Sequence, residues 1–226
     1  MKIVSLPNLA ALTFAFGASL TACSSGAEAP RATVTETPTA PTTPVVGAQP
    51  AGEMAPRATP VRLAFGPQTQ SSVAFVGAKI TATHDGGFER FSGNIDLVAD
   101  HLEQSAVTVD IEMDSLVIEP ARLAGHLRTA DFFDVAQYPH TTFTSTSIVV
   151  GGSAGATHTI TGTLAMHGVS KVISFPATIT VSPTEVNARA EFVINRRDFN
   201  IVYPGMPDDL IKDDVTIKLV IRAPRS

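Results

Sequence analysis

The sequence predicts an all-β domain of about eight antiparallel strands, with one short helix and a lid-like loop. Three observations predict it. Apolar residues recur at every second position in run after run, turn-forming residues separate the runs, and a single segment carries helical spacing instead. Period two over such lengths describes a strand with one buried face and one wet face.

The 226-residue chain opens with an address rather than with folded structure. Met1-Lys2 is a short positive region and Leu9 to Leu20 an apolar one. Leu20-Thr21-Ala22-Cys23 then places small residues before the only cysteine. Residues 1–22 read as a secretory signal of the lipoprotein type. Pro7-Asn8 interrupts the apolar run, which falls short of the roughly 20 residues a membrane span needs. Cleavage before Cys23 exposes a thiol for diacylglycerol, and two acyl chains anchor stably where one does not. The expectation is a lipid-anchored protein of the cell envelope. Ser24, rather than aspartate, after the cysteine leans toward an outer membrane facing the periplasm in a Gram-negative cell. With Cys23 acylated, no thiol is left for a disulfide or a soft metal.

Residues 23–60 read as the lipidated cysteine followed by a Pro/Thr/Ala-rich linker, as in the run from Thr35 to Pro44. Such composition buries too little apolar area to offset chain entropy. Fully extended, it would reach about 110 Å and hold a domain off the bilayer. Residues 61–226 are one domain's worth of chain, large enough to bury roughly 70% of its unfolded surface without crosslinks. The net charge of −5 and the lack of a Lys/Arg cluster exclude a nucleic-acid partner.

Along the domain, strands are expected at 71–80 and 88–98. Val107, Val109, Ile111 and Met113 then alternate with Thr108, Asp110, Glu112 and Asp114. Pro120 opens the helical segment, where Leu123 and Leu127 share one face, and Asp131-Phe132-Phe133-Asp134 forms an aromatic turn behind it. Further strands are expected at 140–150, 159–166, 169–181, 186–196 and 215–222. Asp85-Gly86-Gly87, Gly151-Gly152, Ser182-Pro183 and Pro204-Gly205 supply turns between them. Strands apolar on one face have two solutions, a pair of packed sheets or a closed barrel, and periodicity leaves both open. A barrel of eight strands is either filled or holds one small ligand.

Catalytic and metal motifs are weak. Gly151-Gly152-Ser153-Ala154-Gly155 matches the nucleophile-elbow pattern in letters, but a strand rather than a helix follows it. Six histidines are scattered without paired spacing, and Asp208-Asp209 and Asp213-Asp214 lack the spacing of a calcium loop. No catalytic residue, metal ligand or tightly held cofactor is expected.

Several segments together carry a resemblance. They are Val76-Gly77-Ala78-Lys79, His84-Asp85-Gly86-Gly87-Phe88 with Phe91-Ser92-Gly93, His126 to Asp134, Tyr138 to Ser145, Thr161 to Lys171, and Ile194 to Ile201. In this order, from about Ser71 to the C-terminus, the chain resembles the YceI-like family of polyisoprenoid-binding, lipocalin-like proteins. The resemblance implies an eight-stranded antiparallel lipocalin-like barrel closed near a helical loop. It also implies an apolar channel for an isoprenoid chain, such as a polyprenyl lipid or isoprenoid quinone. Burying such a tail gains about 0.8 kcal/mol per CH₂ before ordering costs. The candidate lumen and lid residues are Phe75, Phe88, Val107, Val109, Ile111, Met113, Leu127, Phe132, Phe133, Phe143, Leu164 and Phe192. Either one of Phe132 and Phe133 lines the channel mouth, or both only anchor the helix. Arg196 either meets a lipid head group or pairs with an aspartate to fix the turn before Tyr203-Pro204-Gly205. The expected function is binding, storage or transport of an isoprenoid-like amphipathic lipid. A structural or interaction lipoprotein with a filled barrel is the alternative, and a hydrolase stands behind both.

Overall fold

The computed structural model describes residues 29–36, 59–99 and 101–225. The signal segment, Cys23 and most of the expected linker lie outside the described residues. The strands are β1 (Thr33–Glu36), β2 (Val61–Phe65), β3 (Ser72–Ala78), β4 (Thr83–Phe88), β5 (Phe91–Leu97), β6 (Ala106–Glu112) and β7 (Leu116–Ile118). The helix α1 (Ala121–Leu127) follows. Then come β8 (His140–Val150), β9 (His158–Met166), β10 (Val169–Val181), β11 (Glu185–Asn195), the short hairpin β12 (Gly205–Met206) and β13 (Asp209–Leu210), and β14 (Asp214–Pro224).

Eight long antiparallel strands close into a barrel, and closure runs through a bend. β4 pairs with β3 and β7, whereas β5 pairs with β6. Glu89 N–H donates to Ser115 O at 3.2 Å and Glu112 N–H to Arg90 O at 3.1 Å, so hydrogen bonding continues across the bend. β4–β5 therefore acts as one kinked strand, and β6–β7 as its kinked partner. From there the ring passes through β8, β9, β10, β11 and β14 back to β3. The expected single strand at 88–98 is thus the second half of a longer one. Met113 lies past the end of β6, in a short 3-10 turn (Met113–Ser115), rather than on the strand.

Two strands add to this ring. β2 pairs with β5 and buries Leu63 and Phe65, closing one end. The Phe65 ring lies so close to Gly93 that a Cβ there would meet its Cζ at 2.1 Å. β1 falls inside the expected linker. It pairs with β10 from Thr33↔Ser174 to Glu36↔Lys171, so the linker expectation fails over these residues. Its local composition looks unstructured, yet Ala32 and Val34 alternate with polar neighbours and find an apolar surface supplied by distant strands.

The helix occupies the other end. Pro120 precedes its first turn in extended backbone, and Ala124 and Leu127 face inward onto Phe75, Leu116, Ile118, Phe132 and Ile201. Arg128 ties the helix end to the wall, donating to Leu116 O and, at 3.1 Å, to Asp114 O.

Candidate functional site

The barrel encloses a cavity of about 850 Å³. That is toward the upper end of the range for small-molecule sites. Its cause is visible along the strands. β6 and β14 carry Val107, Val109, Ile111, Ile217 and Leu219 on the inward face, yet these are only half-buried. An inward apolar side chain that stays accessible inside a closed barrel faces open space rather than a packing partner. A filled interior, the premise of the structural alternative, is not what these residues build.

Glycines keep the space open. A Cβ at Gly86 would meet Phe75 Cζ at 2.5 Å, and one at Gly162 would meet Phe143 Cζ at 2.5 Å. Each ring therefore lies flat on the wall over a missing side chain. Phe143, Phe175 and Phe192 form a sequence of rings, with Phe175 and Phe192 stacked at 4.2 Å and Phe143 and Phe175 at 5.7 Å.

All twelve lumen and lid candidates, Phe75, Phe88, Val107, Val109, Ile111, Met113, Leu127, Phe132, Phe133, Phe143, Leu164 and Phe192, line this cavity. Phe132 and Phe133 diverge in role. Phe132 is buried in a ring cluster with His126 at 5.0 Å and Tyr203 at 5.2 Å, which anchors the helix. Phe133 stands edge-on to Phe75 at 6.5 Å and Phe88 at 6.4 Å, forming an aromatic cap on the lumen. Sequence reasoning left out Ile173, Phe175, Ile194, Ile217 and Leu219, which complete the wall. Their alternation was visible in the strands at 169–181, 186–196 and 215–222 and carried the signal.

Arg196 also lines the cavity, but its guanidinium is committed elsewhere. It donates to Ile201 O at 2.6 Å, Lys212 O at 3.2 Å and Ile211 O at 3.4 Å, and it meets Asp213 at 2.9 Å. Burial pushes its pKa below the usual arginine value, with Asp213 opposing. It clamps the turn after β11 against the segment before β14. The head-group role expected for it gives way to the structural one, because its donors are already used.

Polar wall groups are few. Thr141 is buried, and its hydroxyl has no hydrogen-bond partner among the described residues. Lys79, His84, Arg122 and Met206 lie toward the helix, where exposed Arg122 and Met206 bring the cavity to the surface. The hairpin β12–β13 borders this mouth. Asp209 accepts from Lys79 Nζ and, at 3.0 Å, from Thr81 Oγ1, and Ile80 N–H donates to Leu210 O at 3.1 Å. The Lys79 hydrogen bond, then those from Thr81, hold the Asp209 carboxyl below the usual carboxylate range.

The catalytic motif does not assemble. Ser153 sits in a short 3-10 turn (Ser153–Gly155) between β8 and β9, with no helix behind it. Among the described residues, no group of three or more His, Cys, Asp or Glu side chains could hold a metal ion.

Fold and cavity together define a closed antiparallel barrel around a hydrocarbon-lined lumen. A sequence-family profile described as the YceI-like domain matches residues 67–223, and the chain belongs to that family. It is 34% identical over 139 residues to a UPF0312 protein of Pseudomonas putida, covering 59% of this chain and 71% of the relative. A UPF0312 protein of Pseudomonas syringae is 32% identical over 155 residues, covering 64% and 80%. Among solved structures, Burkholderia cenocepacia BcnA superimposes with a TM-score of 0.60 at 23% identity, covering 68% of this chain and 96% of that one. A domain of Saccharophagus degradans described as polyisoprenoid-binding gives a TM-score of 0.58 at 18% identity, covering 73% and 99%.

Proposed function

We propose that this protein binds an isoprenoid-like amphipathic lipid, a polyprenyl lipid or an isoprenoid quinone, with its tail in the barrel lumen. The observation that carries this reading is the open cavity of about 850 Å³ walled by aliphatic and phenyl side chains. At about 25 cal/mol per Å² of buried apolar surface, a tail gains far more from such a wall than from water, and part of that gain survives the ordering costs. A lumen of this composition selects for tail more than for head group. The head group rests at the helix end, where His84 and Arg122 reach the cavity. The description of the Saccharophagus degradans domain as polyisoprenoid-binding supports the same ligand class.

Storage or hand-over, rather than catalysis, is the role we assign. Lipidation of Cys23 in the cell envelope would keep the barrel beside the membrane that holds such lipids, with the acyl chains as its contact to the bilayer. Native mass spectrometry of the full chain, gently extracted from its own membrane, tests the reading. The expected result is a retained prenyl lipid that is lost on mild denaturation. A barrel that emerges empty, and takes up neither a polyprenol nor an isoprenoid quinone from micelles, overturns it.

A further inference from the structure

The wall of this barrel has one weak place. β10 changes partner midway: Thr178–Val181 pair with β11, but Lys171–Ser174 pair with β1. β11 continues to Asn195 on β14 without β10 beside it. Pro176, which has no N–H to give a ladder, stands between the stretch paired with β1 and the stretch paired with β11. The chain at 30–36 fills the resulting gap. Ala32 N–H donates to Val193 O at 2.8 Å and Val193 N–H to Pro30 O at 2.9 Å, while the other edge of the segment pairs with β10.

We propose that this gap is a lateral entrance to the lumen and that Arg31–Glu36 is the strand that closes it. The proposal rests on the lumen being the ligand site. Ala32 and Val34 point inward, onto Ile173, Phe175, Phe192 and Ile194, which line the cavity. Ala32 and Val34 back the wall behind these four lining side chains, so with the strand lifted only side chains, and no backbone ladder, separate the lumen from the outside at this place. The ends of the strand are held by ion pairs: Arg31 with both carboxylate oxygens of Asp214, and Glu36 with Lys171. Arg31 is 56% and Glu36 82% exposed, so salt screens the Arg31 pair and the Glu36 end of the other, whose Lys171 is only 15% exposed. The neighbouring β11–β14 ladder has eleven residue pairs, whereas β1 has four on β10. The short strand is therefore the part of the wall that opens first, without unfolding the rest. Once it lifts, a long tail passes broadside between β10 and β11 instead of being threaded past α1.

Cross-linking tests this in the full chain. Thr33→Cys with Ser174→Cys joins two residues that face each other in the ladder. The probe is the lipophilic dye N-phenyl-1-naphthylamine, followed by stopped-flow fluorescence. Oxidation is expected to slow dye uptake and release together by at least tenfold, to leave the equilibrium affinity unchanged, and to be reversed by reductant. Val34→Asp, which places a charge on the inward face of the strand, is expected to speed both rates several-fold and keeps the test available if the disulfide does not form. Dye uptake with rates indifferent to both variants overturns the entrance and leaves the lumen reading standing. No dye uptake by the unmodified protein overturns the lumen reading and the entrance with it.

Discussion

Single side chains decide how much room the lumen has. Gly86→Ala puts a methyl where the Phe75 ring now lies. The ring must swing into the cavity, and overpacking of this kind costs about 1–3 kcal/mol. A lower denaturation midpoint, together with weaker prenyl-quinone binding, is the expected result. Thr141 is the opposite case. Its buried hydroxyl has no partner among the described residues, so Thr141→Val removes an uncompensated polar group without changing shape. A gain of about 1 kcal/mol in chemical denaturation of the ligand-free protein is expected. Arg196→Ala separates structure from recognition. It strands three carbonyls that the guanidinium now satisfies, and should cost about 2–4 kcal/mol of stability. Because the clamp does not reach for a ligand, binding affinity in the variant that stays folded should equal that of the parent in a titration with an isoprenoid quinone.

At the scale of elements, the mouth hairpin has a built-in acid limit. The hydrogen bond with Lys79, reinforced by Thr81, lowers the Asp209 pKa. A carboxyl lowered in the folded state contributes stability that is fully present above its unfolded pKa of about 3.9 and is lost as pH falls through the lowered folded value. β12–β13 should therefore stay docked from neutral pH down to about pH 4 and loosen only in stronger acid. The Met206 methyl resonance would report this as a titration step below that pH, and Lys79→Met should shift the step upward. The helix behaves differently, because ring packing and the Arg128 guanidinium on wall carbonyls, rather than a carboxylate pair, tie it to the barrel. Phe132 packs with Tyr203, and Arg128 reaches the wall carbonyls.

For the whole molecule, a hollow barrel is a protein whose stability depends on its guest. A ligand that binds only the folded state adds about 2.7 kcal/mol at a hundred times its Kd. For a domain of this size that raises the thermal midpoint by roughly 5–10 °C. Melting curves with and without an isoprenoid quinone in micelles should show that shift, and an unchanged midpoint at saturating quinone would contradict a guest in the lumen. The closed ring of strands also explains why the cavity persists without one. β3, β8, β9 and β14 each pair with a neighbour on both edges, so the backbone does not collapse onto the space the side chains leave.

Much of this was legible in the chain alone. The pleat of a strand sends successive side chains to opposite faces, so the inward set Val107, Val109, Ile111, Phe143 and Leu164 follows from parity within each segment. The helix at Ala121–Leu127 and the aromatic turn behind it are equally local, fixed by proline, leucine spacing and phenylalanine. What remained for tertiary structure were matters of long-range pairing. Whether strands close into a ring depends on Thr216↔Val76 and its neighbours, which join opposite ends of the domain. Whether the ring is hollow depends on which glycine lies under which phenylalanine, a relation between strands rather than within one. Whether Thr33–Glu36 is linker or wall depends on a gap that β10 and β11 create by parting, and nothing within those four residues announces it. Local sequence sets the face each side chain takes; only the meeting of distant segments sets what that face looks upon.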